Sequence, residues 1–385
     1  MLRHFSGFQR LCSTVALTLA AFVAAPLSAA EPSSMRVFFG TYTNNKPDGS
    51  KGIYTSTLDL KTGALSKPEL AAETVSPSFL AIAPGGKFLY AVGEAGIGGG
   101  VSGFAIGGDG KLTLINRETT GGKGPAHVSV DGAGKNVLVA NYGSGAIACL
   151  PISAEGKLSP ASSVIQHEGS SVNPARQKGP HAHSIYVDKG QRFVVSADLG
   201  LDKVLVYKFD AAAGKLTPNE PAFFAAKPGA GPRHFAFHPD GRHAFVINEI
   251  DSTLTSLAWD PEKGTLSGIQ TLSTLPAEHK GNSTAEVVVH PSGKFVYGSN
   301  RGHDSIAGFS FDGATGKLTA IGHTPAGGKT PRNFNIDPTG TFLIAAHQGS
   351  NTVQAFRIDG DNGTLTPVGG AVPVASPVCI KFLAQ

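Results

Sequence analysis

Short stretches in which apolar residues recur at every second position, broken by Gly, Pro and Asp, follow one another along most of this chain. FLAIAPGGKFLYAVGE from Phe79, HFAFHPDGRHAFVINE from His234 and EVVVHPSGKFVYGSNR from Glu286 each join two apolar runs through a Pro/Asp/Gly turn. Close relatives begin at His127, His183 and Asn333. Side chains alternate between the two faces of a strand, so a period of two bounded by turn formers predicts β-hairpins. A shorter motif, Gly-x-Leu-(Thr/Ser), interleaves with these at Gly63, Gly110, Gly156, Gly214, Gly264, Gly316 and Gly363, with spacings of 47, 46, 58, 50, 52 and 47 residues. Each copy closes a second hairpin. Four strands in a unit of about 45 to 50 residues make a propeller blade.

Six full copies of the longer motif are present, and the seventh is split between the chain ends. Pro377-Val378-Cys379-Ile380-Lys381-Phe382 resembles its first half and Met35-Arg36-Val37-Phe38-Phe39-Gly40-Thr41 its second. One blade is therefore expected to be built from both termini, which removes the unpaired edge strands of an open array. A parallel β-helix is excluded by its much shorter repeat. The expected fold is all-β: a seven-bladed β-propeller, one blade closed by N- and C-terminal strands, over residues 31–385.

Residues 1–30 break the pattern. Arg3 and Arg10 flank a polar start, Leu11 to Ala25 is almost wholly apolar, and Ser28-Ala29-Ala30 offers small residues to a signal peptidase. A signal peptide removed after Ala30 and a periplasmic or secreted destination are expected. An apolar run of about 15 residues falls short of the roughly 20 that span a bilayer, which argues against a retained anchor. Fifty Gly and 25 Pro beside 41% hydrophobic and 16% charged residues suit a turn-rich globular chain with ample core material. Lys and Arg (32) exceed Asp and Glu (28) by four, and Arg3 and Arg10 leave with the signal. So small a charge, with no basic run interleaved with aromatics, excludes nucleic acid as a partner. Cys12 also leaves with the signal; Cys149 and Cys379 lie in different repeats among apolar neighbours, which predicts buried free thiols. A monomer is expected.

With the six hairpins aligned on Gly86, Gly134, Gly190, Gly241, Gly293 and Gly340, the residues seven before are Phe79, His127, His183, His234, Glu286 and Asn333, with Cys379 as the seventh member. The residues eight after are Glu94, Tyr142, Asp198, Glu249, Arg301 and Gln348. Both sets lie at the end of the hairpin away from its turn, and all blades point that end the same way. A polar ring is thus predicted around one mouth of the central channel, joined by Arg233 and Arg332 one position earlier in their strands. Solvation alone requires some polarity there. Solvated loops favour Lys, Ser and Asp, however, whereas His and Arg gathered on strand ends point to a site.

At these residues the chain resembles a known family. RQKGPHAHSIYVD, GPRHFAFHPDGRHAFVINE, AEVVVHPSGKFVYGSNRGHDSI and TPRNFNIDPTG are similar to signature segments of the seven-bladed propeller lactonases of the 6-phosphogluconolactonase type, which also resemble fungal carboxy-muconate cyclases. The resemblance covers essentially the whole chain after the signal. It implies lactone hydrolysis without a metal or other cofactor, in a cleft that falls here on His183, Arg233, Glu249, Glu286, Arg301 and Arg332. An exported chain would meet metabolites other than the phosphorylated sugar lactone of the cytoplasm.

Hydrolysing a lactone needs a water made nucleophilic, a charge partner for the oxyanion and a proton for the departing alkoxide. Glu249, Glu286 and His183 are the candidate bases. Arg233, Arg301 and Arg332 offer planar donor forks suited to an oxyanion or to a substrate carboxylate or phosphate. The catalytic candidates are therefore His183, Arg233, Glu249, Glu286 and Arg301, with His127, His234, Arg332 and Asn333 as substrate-binding residues and a small-molecule lactone as partner. Two other classes share the mouth: a cyclase forming a lactone from an unsaturated diacid, and a non-catalytic propeller holding a ligand or protein. A protein-binding face would carry more aromatic residues than a chain whose single Trp, Trp259, falls in an outer-strand segment. His181 is structural if its strand begins at His183 and shares the face of His183 if the strand begins earlier. No G-x-S-x-G occurs. Asp359 to Gly363 lacks calcium-loop spacing and coincides with the seventh repeat turn, and no helix is predicted after the glycine run Gly96 to Gly100. His234 and His238, four apart on a predicted strand, stand about 13 Å apart and cannot share an ion.

Overall fold

A computed structural model describes residues 33–383 except 45, 95–98 and 278, together with positions 1, 4, 7 and 9. The expected cleavage site after Ala30 lies outside them. The chain divides into Met1–Pro32 and Ser33–Gln385, and every described strand belongs to the second unit. Among the described residues there is no helix, hence none able to cross a membrane. The described residues form twenty-eight strands, numbered β1 to β28 in chain order, in seven antiparallel sheets of four. Six sheets use consecutive strands. The seventh sets β28 (Pro377–Leu383) beside β1 (Ser34–Thr41), then β2 (Gly52–Asp59) and β3 (Glu69–Glu73), which is the closure the split motif predicts. The innermost strands are β28, β4 (Leu80–Ile82), β8 (Pro125–Val130), β12 (Ala182–Val187), β16 (Pro232–Phe237), β20 (Ser283–Val289) and β24 (Pro331–Ile336), and each touches the next around the axis.

The core lies between blades, so inner strands are buried on both faces and read as near-continuous apolar runs. Val195 and Val204 of one blade, for example, pack with Phe235, Ala244 and Trp259 of the next. The short repeat motif makes a second inter-blade contact. Gly156 and Gly363 adopt φ of 78 and 75, and a Cβ at either would collide with Phe88 or Phe295 of the preceding blade. Tyr90 and Tyr297 of those preceding blades donate their hydroxyls to the same two glycine carbonyls at 3.0 and 2.7 Å. Backbone conformation and space both demand glycine there. Cys149 and Cys379 are buried free thiols, as expected.

Two local features set which side chains reach the channel. In six inner hairpins the register slips by one residue at the end away from the turn: between Pro125 and His127, Ala182 and Ser184, Pro232 and His234, Thr284 and Val287, Pro331 and Asn333, and Pro377 and Cys379. Such a bulge inserts an extra residue on the inner strand and re-aims its neighbours. The second feature is the turn between β12 and β13 (Phe193–Asp198). Gly241 and Gly293 hold the left-handed turn position elsewhere, with φ of 70 and 75, but here it is Gln191, φ 57, one residue after Gly190. The bonds closing these turns, Asp188 N to Phe193 O and His238 N to His243 O, equate His183 with Arg233 and Asp198 with Asn248. Alignment on Gly190 is therefore one residue out.

Candidate active site

With the register so fixed, the inner strands present successive rows of side chains to the channel. The bulge positions include Ala126, His183, Arg233, Ala285 and Arg332, and of these Ala126, His183 and Arg332 line the mouth. The next residues along, including Phe79, His127, His234, Glu286 and Asn333, form a buried plug. Its rings are in contact: Phe79 and His127 have centroids 4.2 Å apart, His127 and His234 5.5 Å. The second strands end at the mouth on Tyr42, Glu94, Leu199, Glu249 and Gln348, whose backbone N–H groups make equivalent bonds across the bulge. Tyr142 and Arg301 hold the same place in their hairpins.

A cavity of about 250 Å³ opens at the mouth, lined by residues that include Glu94, Tyr142, Arg176, His183, Glu249, Arg301 and Arg332. Glu249 is its electrostatic centre. Its Oε2 accepts from Arg233 Nε at 2.9 Å and pairs with Arg301 Nη2 at 3.0 Å, and its Oε1 accepts from Arg176 Nη2 at 2.6 Å. Burial pushes this carboxyl up, but Arg301, Arg233 and Arg176 together outweigh burial and hold it at about 2. It is an anion at any working pH and a weak proton acceptor. Arg233 lies beneath the pocket, 2% exposed, with Nη1 donating to Ala285 O at 2.6 Å. Burial, then Arg301 and Arg332, bring it down to about 9, so at pH 7 it is the cation.

His183 Nε2 stands 3.9 Å from Glu249 Oε2, and its Nδ1 is buried without a partner. Burial, then the charge of Arg233, hold the ring well below its ordinary 6.5, so it is neutral at pH 7. Beside the lining residues Glu94 and Arg332, Tyr42 donates its hydroxyl to Glu94 Oε2 at 2.6 Å and accepts from Arg332 Nη2 at 3.2 Å. Burial raises the Tyr42 phenol to about 12.

Of the residues expected from the sequence, His183, Glu249, Arg301 and Arg332 line the pocket and Arg233 braces Glu249 from below. The other four lie one layer deeper than expected, because the bulge brings only the preceding residue to the mouth. His234 Nδ1 meets Glu286 Oε1 at 2.8 Å, the Asn333 amide donates to Glu286 Oε2, and Ile380 N donates to Asn333 Oδ1 at 2.8 Å. Burial raises Glu286 to about 7, against the opposing fields of Lys381 and Arg233. His127 faces a different cavity, at the turn end of the channel. Asp198 is likewise not at the mouth: it accepts from His181 N at 2.8 Å and meets His167 Nδ1 at 2.6 Å. β12 begins at Ala182, so His181 lies outside the strand, stacked on Tyr142 with centroids 4.5 Å apart.

Sequence reasoning missed Arg176 and Tyr42. Arg176 lies between β11 (Ser163–Gln166) and β12, in the extra chain that lengthens one repeat spacing to 58 residues. That length was the available signal. Tyr42 completes the row from the split blade. Among the described residues one group, His238, Asp240 and His243, brings three metal-ligating atoms within 4.8 Å, at a turn away from the mouth. There His238 Nε2 is engaged by Gly293 O at 2.8 Å. Asp359 accepts from Asp361 N and Asn362 N at 2.9 and 3.2 Å, as a turn residue does.

The Lactonase family, a 7-bladed beta-propeller, matches the chain over residues 36–382. A 6-phosphogluconolactonase of Bacillus subtilis (strain 168) is 38% identical over 350 residues, 90% of this chain and 98% of the relative. A 6-phosphogluconolactonase of Formosa agariphila is 33% identical, over 78% of this chain and 86% of its own. The solved structure of the Pseudomonas aeruginosa periplasmic gluconolactonase superposes with a TM-score of 0.85 at 32% identity, covering 91% of this chain and 99% of that one.

Proposed function

This chain belongs to the seven-bladed β-propeller lactonase family and is a lactone-hydrolysing enzyme, and from that premise we propose that its mouth pocket opens a sugar-derived lactone by attack of a base-activated water. The observation that carries this reading is the make-up of the pocket. Three guanidinium groups, Arg176, Arg301 and Arg332, line it together with a neutral imidazole, and its central carboxylate is already committed to arginine. His183 is the base. It takes a proton from water as the oxygen bonds to the lactone carbonyl carbon, and Glu249 Oε2 nearby stabilises the imidazolium so formed. Arg301 and Arg332 receive the developing oxyanion. When the ring C–O bond breaks, His183 returns its proton to the alkoxide and leaves a hydroxy acid. Glu249 serves as the counter-ion that fixes the arginines, Arg233 as its buried brace, and Glu286, Asn333 and His234 as the packed support below. Arg176, on a loop and 41% exposed, meets the outer polar groups of the substrate.

The relatives are named as a 6-phosphogluconolactonase and a gluconolactonase, and a sugar lactone is the substrate class those names share. Residues 1–30 support an exported enzyme acting in the periplasm or outside the cell. The test is to assay the purified chain from Glu31 onward against δ-gluconolactone, its 6-phosphate and an unsaturated diacid, with acid release or uptake followed by a pH indicator. Hydrolysis of a sugar lactone above the spontaneous rate, lost in His183→Asn, is expected. No acceleration with either lactone, or turnover of the diacid alone, would overturn the reading.

A further inference from the structure

We propose that the turn-side end of the channel is a second binding site, separate from the catalytic mouth, for a small oxyanion such as a carboxylate or phosphate. Below the plug lies a cavity of about 340 Å³ whose polar lining comes from His127, Ser129, Tyr186, Asn335 and Lys381, with no carboxylate. Ser129, Tyr186, Asn335 and Lys381 each stand two residues beyond the plug on their own inner strand, so four blades aim them at one space.

The charge on its walls is one-sided. His127 Nδ1 accepts from Ile185 N at 3.3 Å, which places the ring hydrogen on Nε2, and Nε2 is buried with no partner. Ser129 Oγ is buried and equally unpartnered. The Lys381 ammonium rests 4.7 Å from the centroid of the Phe79 ring and makes no ion pair within 4.0 Å among the described residues, and its field is the largest one acting on the buried Glu286 carboxyl. Asn335 adds little, because its amide already bonds Ile380 O at 3.1 Å and Ile336 N at 2.9 Å. The Lys381 ammonium on a cavity wall without a carboxylate, with the unpartnered His127 Nε2–H and Ser129 hydroxyl buried beside it, matches the needs of an oxyanion, because buried donors are costly to leave unpaired. The plug of Phe79, His127 and His234 separates this cavity from Arg301 and Arg332. Binding there is thus independent of which lactone the mouth takes.

The test is calorimetric titration of the full mature chain with inorganic phosphate and, separately, with acetate, on wild type, Lys381→Met and Ser129→Ala. Lys381→Met is expected to lose one of the bound equivalents, weakening it by roughly tenfold or more, and Ser129→Ala to weaken it a few-fold. Lactone turnover in both should stay within about twofold of wild type. The two titrants decide whether carboxylate or phosphate is preferred. Lys381→Arg, which keeps the charge, should restore the lost equivalent and guards against a folding defect in Lys381→Met. Selenate-soaked crystals should show anomalous density beside Lys381. Isotherms unchanged in folded Lys381→Met and Ser129→Ala, or density confined to the arginine-lined mouth, would overturn the proposal.

Discussion

Replacing Glu249 by Gln tests the electrostatic centre of the mouth. The carboxyl stays ionised down to about 2 in the folded chain, compared with its ordinary 4.5, and its side chain is 7% exposed. At about 1.4 kcal/mol per pH unit, that difference favours the charged form by about 3 kcal/mol. The folded state holds this proton less tightly than the unfolded one, so the contribution is complete above pH 4.5 and disappears as pH falls from 4.5 towards 2. By the same linkage about 1 kcal/mol is lost by pH 4 and about 2 kcal/mol by pH 3. Glu249→Gln removes the contribution at every pH and leaves Arg233 and Arg301 facing a neutral amide, so the loss at pH 7 should be at least about 3 kcal/mol. Urea unfolding of both proteins at pH 7, 5, 4 and 3 measures it. The gap between them should be constant from pH 7 to 5 and then narrow by about 2 kcal/mol at pH 3. A gap that does not change with pH would falsify the claim that the three guanidinium groups hold this charge.

Four further outcomes are expected. His183→Asn should lower kcat by about 10²-fold or more with KM little changed, and wild-type kcat should fall only well below pH 6.5, where His183 protonates; an acid limb at or above 6.5 contradicts this assignment. Arg176→Ala should raise KM roughly tenfold while largely sparing kcat, because it removes binding at the pocket rim; the opposite split would place Arg176 in the chemistry. Glu286 is raised from 4.5 to about 7, so the folded state binds its proton more tightly and its contribution fades as pH rises from 4.5 to 7; Glu286→Gln should therefore gain stability relative to wild type between pH 5 and pH 8, and a flat difference would show that the carboxyl is not held protonated. Deleting residues 377–385 removes the buried Val378, Cys379 and Ile380, at about 1.5 to 3 kcal/mol for a large aliphatic side chain, and unpairs β1; aggregation is expected, and a soluble product that melts cooperatively contradicts closure by the termini.

The ring was legible in the sequence because its causes are local and repeated. Period-two alternation, the G-x-L turn and the half-motifs at Met35 and Pro377 each report a strand or a turn directly, and together they yield the pairing of β28 with β1. Depth along the channel was not legible. A bulge adds one residue without disturbing the run of apolar and polar letters, so His127, His234, Glu286 and Asn333 read as mouth residues although they lie one layer down. The β12–β13 hairpin hid a second displacement. Gln191 occupies a left-handed position that glycine fills elsewhere, and counting from Gly190 placed Asp198 where Leu199 belongs. Arg176 comes from outside the repeat, and no alignment of repeats could have found it.

The chemistry of the mouth depends on departures from the repeat. Seven equivalent strand ends carrying one charged residue type would set like charges around a narrow ring, and burial would raise the cost of each. Here the equivalent positions read Tyr42, Glu94, Tyr142, Leu199, Glu249, Arg301 and Gln348, and opposite charges fall on neighbouring blades. Glu249 meets Arg301 of the next blade and Arg233 of its own, and Glu94 reaches Arg332 through the Tyr42 hydroxyl. Each carboxylate is thus consumed locally, and Arg176 is added from a loop without a further carboxylate. What remains is surplus positive charge beside a neutral His183. A lactone carbonyl, which becomes an oxyanion only as water adds to it, gains more from that surplus in the transition state than in the ground state.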